Sequence, residues 1–366
     1  MTKAEFIAKL NEALSSLSVN ARQDAILFFT EQIDDLIDEG KTEDQAVDAL
    51  GDFHALVAAL YKEEQASRSG ENRDTQTVRG ESNRPEARSF TTDKRPSTIV
   101  LTETNCAVQI LPSPDHKIHL EYEITRQIDV TITCDHDRLT YTAREIFPVF
   151  HFHIFGRKPV SLYLPADYLP DLEIKTGNAP LRAGNISCDT ANFKTGNASL
   201  SLAHITAKKL TAQTSNAPIR AEHFTADLVK LNTSNASLTT THCTCSSLSC
   251  KTSNGTLLTE HCSLNTLNAV TSNGKNTAEH ITADIVNLTS SNGTVRLQNA
   301  EVKEITLITS NGSINAILPG SIADYRIDAQ TSNGKSSLPP HKATGEKSLK
   351  ASTRNGKINV MFNADQ

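Results

Sequence analysis

Thr271-Ser272-Asn273-Gly274 is one copy of a four-residue phrase that recurs, with small variations, through the second half of the chain. Its asparagine returns at a constant interval over eight copies, the interval from Asn178 to Asn197, and then twice more at a slightly longer one. The ten asparagines are Asn178, Asn197, Asn216, Asn235, Asn254, Asn273, Asn292, Asn311, Asn333 and Asn355. A fixed period of this length indicates a repeat protein in which each repeat is one structural unit.

Apolar residues alternate with polar ones at three places in each repeat. Counted from Asn292 as zero, the apolar residues fall at offsets −6 and −4, +3 and +5, and +8 and +10. These offsets hold Val286, Leu288, Val295, Leu297, Ala300 and Val302. A spacing of two puts side chains on one face of a β-strand, so each repeat is predicted to contain three short strands with one buried face.

The Ser-Asn-Gly corner interrupts this alternation, and Asn and Gly adopt positive φ at a sharp turn more readily than other residues. Two folds use such a corner. In a chain of β-hairpins, Thr309 would face Ile314 across the turn. In a parallel β-solenoid, each 19-residue coil would lie on a copy of itself, and the corner asparagines would form a hydrogen-bonded ladder. The constant period favours the solenoid, with about ten coils over residues 171–366.

The composition fits a thin core and argues against a nucleic-acid interface. The chain has no Trp, and aromatic residues make up 5% of it, which suits rows of Val, Ile, Leu, Ala and Cys. Beyond residue 96, 24 basic residues accompany 23 acidic ones. A protein that contacts nucleic acid directly needs a concentrated basic stripe, and no such stripe is visible.

Three features predict a cytoplasmic chain with no membrane span. Residues 1–6 carry charges where a signal peptide needs apolar residues. No run of 18 apolar residues occurs. The seven cysteines are an odd number without the spacing of a small disulfide-stapled domain, so we expect reduced thiols.

Residues 1–64 are predicted to form a small domain of four helices, with 5 Lys/Arg against 14 Asp/Glu and a net charge of −9. The residues suited to cap three of these helices are Thr2 with Glu5, Ser18, and Thr42 with Gln45. Four carboxylates near the end of the second helix form either a solvated acidic face or a site for a basic partner. They are Asp34, Asp35, Asp38 and Glu39.

Residues 65–96 are polar and carry scattered charge, a composition that predicts a flexible, disordered linker. Residues 97–170 alternate without the Asn-Gly phrase and are predicted to be irregular strands that cap the first end of the solenoid. Four phenylalanines crowd into the segment 147–155. This cluster, which is Phe147, Phe150, Phe152 and Phe155, is either a plug over the core or an exposed docking patch.

The helical segment resembles the bacterial α-helical signalling domain called HAAS. The resemblance rests on Lys3, Glu5, Phe6 and Leu10, and on Ala49-Leu50-Gly51-Asp52. It departs at Phe53, where members of that family often have proline. The resemblance implies a protein partner, since HAAS domains often accompany PadR-like transcription regulators.

The remainder, from about residue 97, looks like the bacterial β-strand repeat family known as "putative adhesin". The resemblance is carried by the Thr-Ser-Asn-Gly phrases and by Val160-Ser161-Leu162-Tyr163-Leu164-Pro165 leading into Leu172-Glu173-Ile174. It implies a β-strand repeat fold and no established activity.

A histidine column at offset +7 is the main candidate for chemistry. Its members are His204, His223, His242, His261 and His280. Imidazoles on successive coils would be about 4.8 Å apart, and such a column could bind a divalent metal or respond to pH. The alternative is that histidine simply suits this corner, as Asn185 and Asn299 do in the flanking coils.

Cys243, Cys245, Cys250 and Cys262 resemble a zinc set, but they occupy inward offsets and are expected to pack as small hydrophobic residues. His151 and His153 share one face of a strand and are either ligands or structural residues. No nucleophile elbow, phosphate-binding loop, dinucleotide fingerprint or zinc-protease helix is present, so no cofactor is expected.

The resulting hypothesis is a non-enzymatic, cytoplasmic interaction scaffold, with a helical head that binds a partner protein and a rigid solenoid that presents a repetitive surface. One alternative is a surface adhesin-like protein that binds glycans or proteins. Another is a carbohydrate-active β-helix enzyme, which would need a groove of carboxylates and basic residues on one face.

Overall fold

A computed structural model of the chain describes residues 1–17, 19–38, 40–67, 75–80, 82, 84–145 and 157–365. It contains a few N-terminal helices followed by a parallel β-solenoid of about ten coils. The predicted fold class is therefore confirmed. The alternative fold, a chain of hairpins, is excluded, because equivalent strands of successive repeats pair in parallel, as Leu181 does with Leu200.

The helical head, as far as the structure describes it, consists of four helices. They are α1 (Lys3–Ala13), α2 (Val19–Asp38), α3 (Glu43–Asp48) and α4 (Phe53–Ser67). Capping boxes of Thr2 with Glu5 and Thr42 with Gln45 begin α1 and α3, whereas Ser18 lies outside the described residues. The head has its own apolar core, built mainly from the amphipathic faces of α1, α2 and α4 and including Phe6, Leu10, Phe29, Ile33, Leu50 and Leu56.

The first end of the solenoid is built from the strands that precede the regular coils. They are β1 (Thr75–Arg79), β2 (Glu86–Thr92), β3 (Thr98–Glu103), β4 (Val108–Pro112), β5 (Ile118–Ile124), β6 (Ile128–Cys134), β7 (Arg138–Glu145), β8 (Val160–Leu164), β9 (Asp171–Thr176) and β10 (Leu181–Thr195). The coil of β3 and β4 lies between the coil of β7 and β8 and the coil of β9 and β10, all in parallel. Antiparallel strands β5, β6, β1 and β2 then cover the outer edge.

The regular coils follow, and each is stacked on the previous one in constant register. Their strands are β11 (Leu200–Gln213), β12 (Ile219–Glu222), β13 (Thr225–Asn232), β14 (Leu238–Thr241), β15 (Thr244–Lys251), β16 (Leu257–Thr271), β17 (Asn276–Ser290), β18 (Val295–Gln298), β19 (Glu301–Ile308) and β20 (Ile314–Leu318). One continuous apolar core runs through the stack from Ile99 to Phe362.

The far end departs from the order of the sequence. Its strands are β21 (Tyr325–Thr331), β22 (His341–Lys342), β23 (Lys347–Thr353) and β24 (Ile358–Phe362). The last coil of the sequence, β23 and β24, stacks on β19 and β20, and β21 stacks on the outside of β23. The coil of Asn355 therefore lies between those of Asn311 and Asn333, an order that the two equal steps in the sequence did not reveal.

Two predicted boundaries differ from the structure. The flexible linker over 65–96 is wrong for two segments, because β1 pairs with β6 and β2 pairs with β5 in antiparallel ladders. The irregular cap over 97–170 already contains solenoid structure, since β3 and β4 are a complete part of the parallel stack. The phenylalanine cluster at 147–155, together with His151 and His153, lies outside the described residues.

The predicted positive φ at the Asn-Gly corner is also wrong. Among the described residues, the glycines with positive φ are Gly40, Gly51, Gly320 and Gly345, none of which belongs to a repeat phrase. In the coils whose phrase ends in glycine, that residue provides space for the neighbouring coil instead. A Cβ on Gly274 would lie 1.7 Å from the carbonyl oxygen of Gly255 in the coil below, so the two backbones approach too closely for any side chain.

This close approach makes a direct test possible. Gly274→Ala is expected to lower the free energy of unfolding by about 1–3 kcal/mol, because the added methyl group forces two coils apart. Gly184→Ala is the matched control, since a Cβ there would meet its nearest atom, the Ala203 carbonyl oxygen, at 3.5 Å. Urea unfolding followed by circular dichroism compares the two variants, and equal stabilities would contradict the close approach.

Candidate functional site

Each regular coil has three sides separated by three corners. The ladder between β10 and β11 skips the pair Asn185 and His204 and the pair Asp189 and Lys208, and the same two offsets are skipped along the stack. Together with the Asn-Gly phrase, these offsets are the corners. We call them the Asn corner (offset 0), the His corner (offset +7) and the charged corner (offset +11).

The structure places all ten predicted asparagines in one column at the Asn corner. Each side-chain amide donates to the side-chain oxygen of the asparagine one coil below, at 2.6–2.9 Å. Asn105 forms the first rung, accepting from Asn178 at 2.9 Å. The sequence does not reveal Asn105 as a member of the ladder, because its separation from Asn178 along the chain is far longer than the repeat period. The ladder is a hydrogen-bonded spine that fixes the register of the coils.

At the His corner the five histidines are stacked and exposed. Neighbouring ring centroids are 4.5–5.0 Å apart and the ring planes differ by 6–15°. All five have φ between 50° and 53°, and Asn185 and Asn299 adopt φ of 56° and 49° at the same offset. His and Asn are among the few side chains that tolerate this left-handed region. Backbone conformation therefore explains why these two residue types occupy the corner.

The same geometry limits what the column can bind. The nitrogen lone pairs lie in the ring planes, and parallel planes direct them side by side rather than toward one point. In the described part of the chain, no group of three or more His, Cys, Asp and Glu side chains converges in a way that would hold a metal ion.

The four cysteines that resembled a zinc set are buried in the core of the solenoid. Cys243, Cys245, Cys250 and Cys262 are each at most 6% exposed. Hydrogen bonds to Cys245 and Cys262, followed by burial, raise the pKa of Cys243, and burial raises the pKa of Cys250 to about 12. Enclosed thiols of this kind pack as small apolar side chains.

A groove of about 920 Å³ runs along the stack beside the charged corner. Its floor is a column of small buried residues such as Ala207 and Ala226, and one wall is a row of hydroxyls such as Thr206 and Thr225. The charged corner forms the rim. Its residues from Asp189 onward are Asp189, Lys208, Asp227, Ser246, Asn265, Asp284 and Lys303.

Charges on this rim neutralise one another between coils. Lys208 Nζ lies 2.5 Å from Asp189 Oδ1, and Lys303 Nζ lies 2.7 Å from Asp284 Oδ1. These hydrogen bonds raise the pKa of both lysines. The groove does contain the carboxylates and basic residues that a polysaccharide-cleaving enzyme would need, but two of the three aspartates on its rim are held in ion pairs.

A cluster of buried ionisable side chains with shifted pKa values lies inside the first end of the solenoid. Arg157 Nη1 is 3.2 Å from Glu103 Oε1, Nη2 donates to the Glu123 carbonyl at 2.8 Å, and Tyr141 donates to Glu103 at 3.4 Å. The Arg157 and Glu103 side chains are 4% and 3% exposed. Burial raises the pKa of Glu103, and Arg157 lowers it in part. Such little exposure leaves no access for a ligand, so the pair joins strands rather than binding substrate.

Comparisons with known proteins agree with this architecture. The family model described as Toastrack DUF4097 matches residues 97–365, and the HAAS family model matches residues 5–59. No curated protein matches the chain.

Three solved structures match the chain at low sequence identity. A "putative adhesin" from Parabacteroides merdae is 12% identical, with a TM-score of 0.40, covering 78% of this chain and 98% of that one. A "putative adhesin" from Bacteroides fragilis is 11% identical, with a TM-score of 0.28 and coverage of 77% and 100%. A "putative cell adhesion protein" from Clostridium sporogenes is 11% identical, with a TM-score of 0.18 and coverage of 76% and 100%.

In the described parts of the chain, no helix has the length and apolar character needed to cross a bilayer.

The His corner predicts different outcomes for two substitutions at one position. His242→Val should lower the free energy of unfolding by about 1–3 kcal/mol, because a β-branched residue is strained at positive φ. His242→Asn should be nearly neutral, since asparagine already occupies this corner at Asn185 and Asn299. Thermal unfolding of both variants measures the difference. A melting temperature that rises with added zinc in the parent chain but not in His242→Asn would contradict the purely conformational explanation.

The buried ion pair predicts a pH-dependent loss of stability. Arg157→Met should cost about 3–5 kcal/mol at neutral pH, because it leaves Glu103 buried without a counter-charge. The folded-state pKa of Glu103 is already raised, so its stabilising contribution is present below the unfolded pKa and is lost as pH rises through the folded pKa. The deficit of the variant should therefore shrink in mildly acidic buffer. Denaturant unfolding at several pH values measures this.

Arg95→Met serves as the control, because the ion pair of Arg95 with Asp167 is exposed and should contribute less than about 1 kcal/mol. A deficit of Arg157→Met that stays constant with pH would argue against a buried, charged Glu103.

Proposed function

The chain belongs to the Toastrack DUF4097 family, and on that premise we propose that it is a non-enzymatic interaction scaffold. Its helical head binds a partner protein, and its solenoid presents a rigid, repetitive binding surface. The observation that carries this proposal is the stacking of equivalent side chains. The asparagine ladder holds coils in constant register, so outward residues stand in straight columns that an extended ligand can follow.

The proposed role of the head is supported by its charge and by its resemblance to HAAS domains. Its net charge of −9 favours a partner with a basic surface. Among the described ion pairs of the head, Lys3 neutralises Asp34 and the N-terminal amine neutralises Asp44, and a large excess of negative charge remains. A PadR-like transcription regulator is the partner class that the HAAS resemblance suggests, and a cytoplasmic location follows from the same proposal.

A second candidate function is adhesive binding at the cell surface. The groove beside the charged corner favours it, because a hydroxyl-lined channel of about 920 Å³ that crosses several coils can hold a linear glycan. The two functions differ in compartment and in ligand.

Three experiments separate the proposals. Full-length chain is used to capture partners from native lysate, alongside Leu10→Asp, which unfolds the head by placing a charge at a fully buried site. The scaffold predicts that a protein partner is lost with Leu10→Asp and retained with His242→Asn. Capture that is unaffected by Leu10→Asp would contradict the proposed role of the head.

Cell fractionation that finds the chain outside the cytoplasm would favour the adhesive function. Polysaccharide turnover that is abolished by Asp227→Asn would overturn the non-enzymatic assignment.

A further inference from the structure

The side of the solenoid that follows the Asn corner carries two depressions near its far end. Two adjoining depressions of about 480 and 300 Å³ share Thr294, Asn315 and Asn359 in their walls. They extend from the coil of Asn273 to the outermost coil, that of Asn333. Four steps of the asparagine ladder separate these coils, a length of about 19 Å at the usual strand spacing. We call this surface the far-end face.

Cations without ion pairs gather on the far-end face. Lys275, Lys335 and Lys357 occupy the same offset, +2, and all three are exposed. None of the three takes part in an ion pair with any described residue, whereas the lysines of the charged corner are paired with aspartates. Lys357 and Lys335 lie on adjacent coils, so two positive charges stand side by side without compensation.

Arg296 adds a guanidinium to the same face with one donor unused. Its Nε is buried and has no hydrogen-bond partner among the described residues. Glu279 Oε1 lies 3.8 Å from this nitrogen, which is within ion-pair range but too far for a hydrogen bond. The Arg296 side chain is 40% exposed, so a ligand can reach the guanidinium. The planar fork of arginine is suited to a carboxylate.

Side-chain amides and apolar groups complete the face. Arg296 is in register with Asn315, and Asn315 with Asn359, on successive coils. The amides of Asn315 and Asn359 make no hydrogen bond with the described residues and offer both donors and acceptors to a main chain. Ile317 and Met361 border them, and Met361 is 41% exposed. The mixture of cations, amides and apolar side chains suits a peptide, because a glycan or a nucleic acid would not use the apolar border.

We propose that the far-end face binds an extended, acidic segment of a partner protein. Carboxylates of the segment would pair with Lys335, Lys357 and Arg296, its main chain would contact Asn315 and Asn359, and its apolar residues would cover Met361. This inference rests on the proposed scaffold function and assigns one of its partner sites. Because the cations are partly exposed, the attraction should weaken as ionic strength rises.

The test uses the full-length chain and a fluorescent peptide of glutamates interrupted by leucines, titrated by anisotropy. Saturable binding that weakens with salt is expected. Combining Lys335→Gln, Lys357→Gln and Arg296→Gln should lower the affinity by about tenfold or more. The matched control removes three exposed lysines from another side of the coils, with Lys194→Gln, Lys230→Gln and Lys251→Gln, and should change the affinity by less than about twofold.

Three results would overturn the proposal. They are no saturable binding of the peptide, equal losses in the two triple variants, and tighter binding of an oligogalacturonate or an oligothymidylate of the same charge. Circular dichroism of each variant verifies that the fold is intact, and Lys357→Arg, which keeps the charge, should retain binding. A chain that still captures partners from lysate but ignores the peptide refutes this site alone. A chain that captures nothing refutes the scaffold function as a whole.

Discussion

Parallel main-chain pairing between coils is the interaction on which the rest of this structure depends. A strand that pairs with its equivalent in the next repeat fixes every side chain above its own counterpart. Buried offsets then form continuous apolar rows, and exposed offsets form columns of similar side chains. The asparagine ladder and the histidine stack are both products of this register. A shift of one residue would turn each buried row toward solvent, so pairing and core support the same alignment.

The sequence predicted the repeating part of the fold well, because a period is a local signal that many copies reinforce. The inward residues at the predicted offsets, such as Leu257 and Leu267, are indeed fully buried. The corners were harder to predict. Asn-Gly usually indicates positive φ, but here glycine relieves a contact with the coil below, as at Gly274. That contact is invisible in one repeat considered alone. Positive φ belongs instead to the His corner, where residue preference alone gave a weaker signal.

The stacking order of the coils at both ends of the solenoid could not be predicted from the sequence, because it too depends on contacts outside a single repeat. The coil of β3 and β4 lies between two coils that come later in the chain, and the coil of β23 and β24 lies between two coils that both come earlier. Long-range pairing of this kind has no periodic signature, and Asn105 in particular stands alone in the sequence. The polar composition of residues 75–92 concealed strands in the same way. Those strands pair at the edge of the stack and leave many of their side chains exposed, so they have no need of an apolar pattern.

In the proposed scaffold, selective binding requires a coil whose outward side chains differ from those at the same offset in the other coils. A uniform column offers the same contact at every coil and cannot position a ligand along the axis. At the charged corner the rim residues largely neutralise each other, which lowers selectivity further. The far-end face is different, because its lysines lack ion pairs with the described residues and its arginine stands between Thr277 and Asn315 in the coils on either side. A ligand that meets such a break is held at one coil and in one direction.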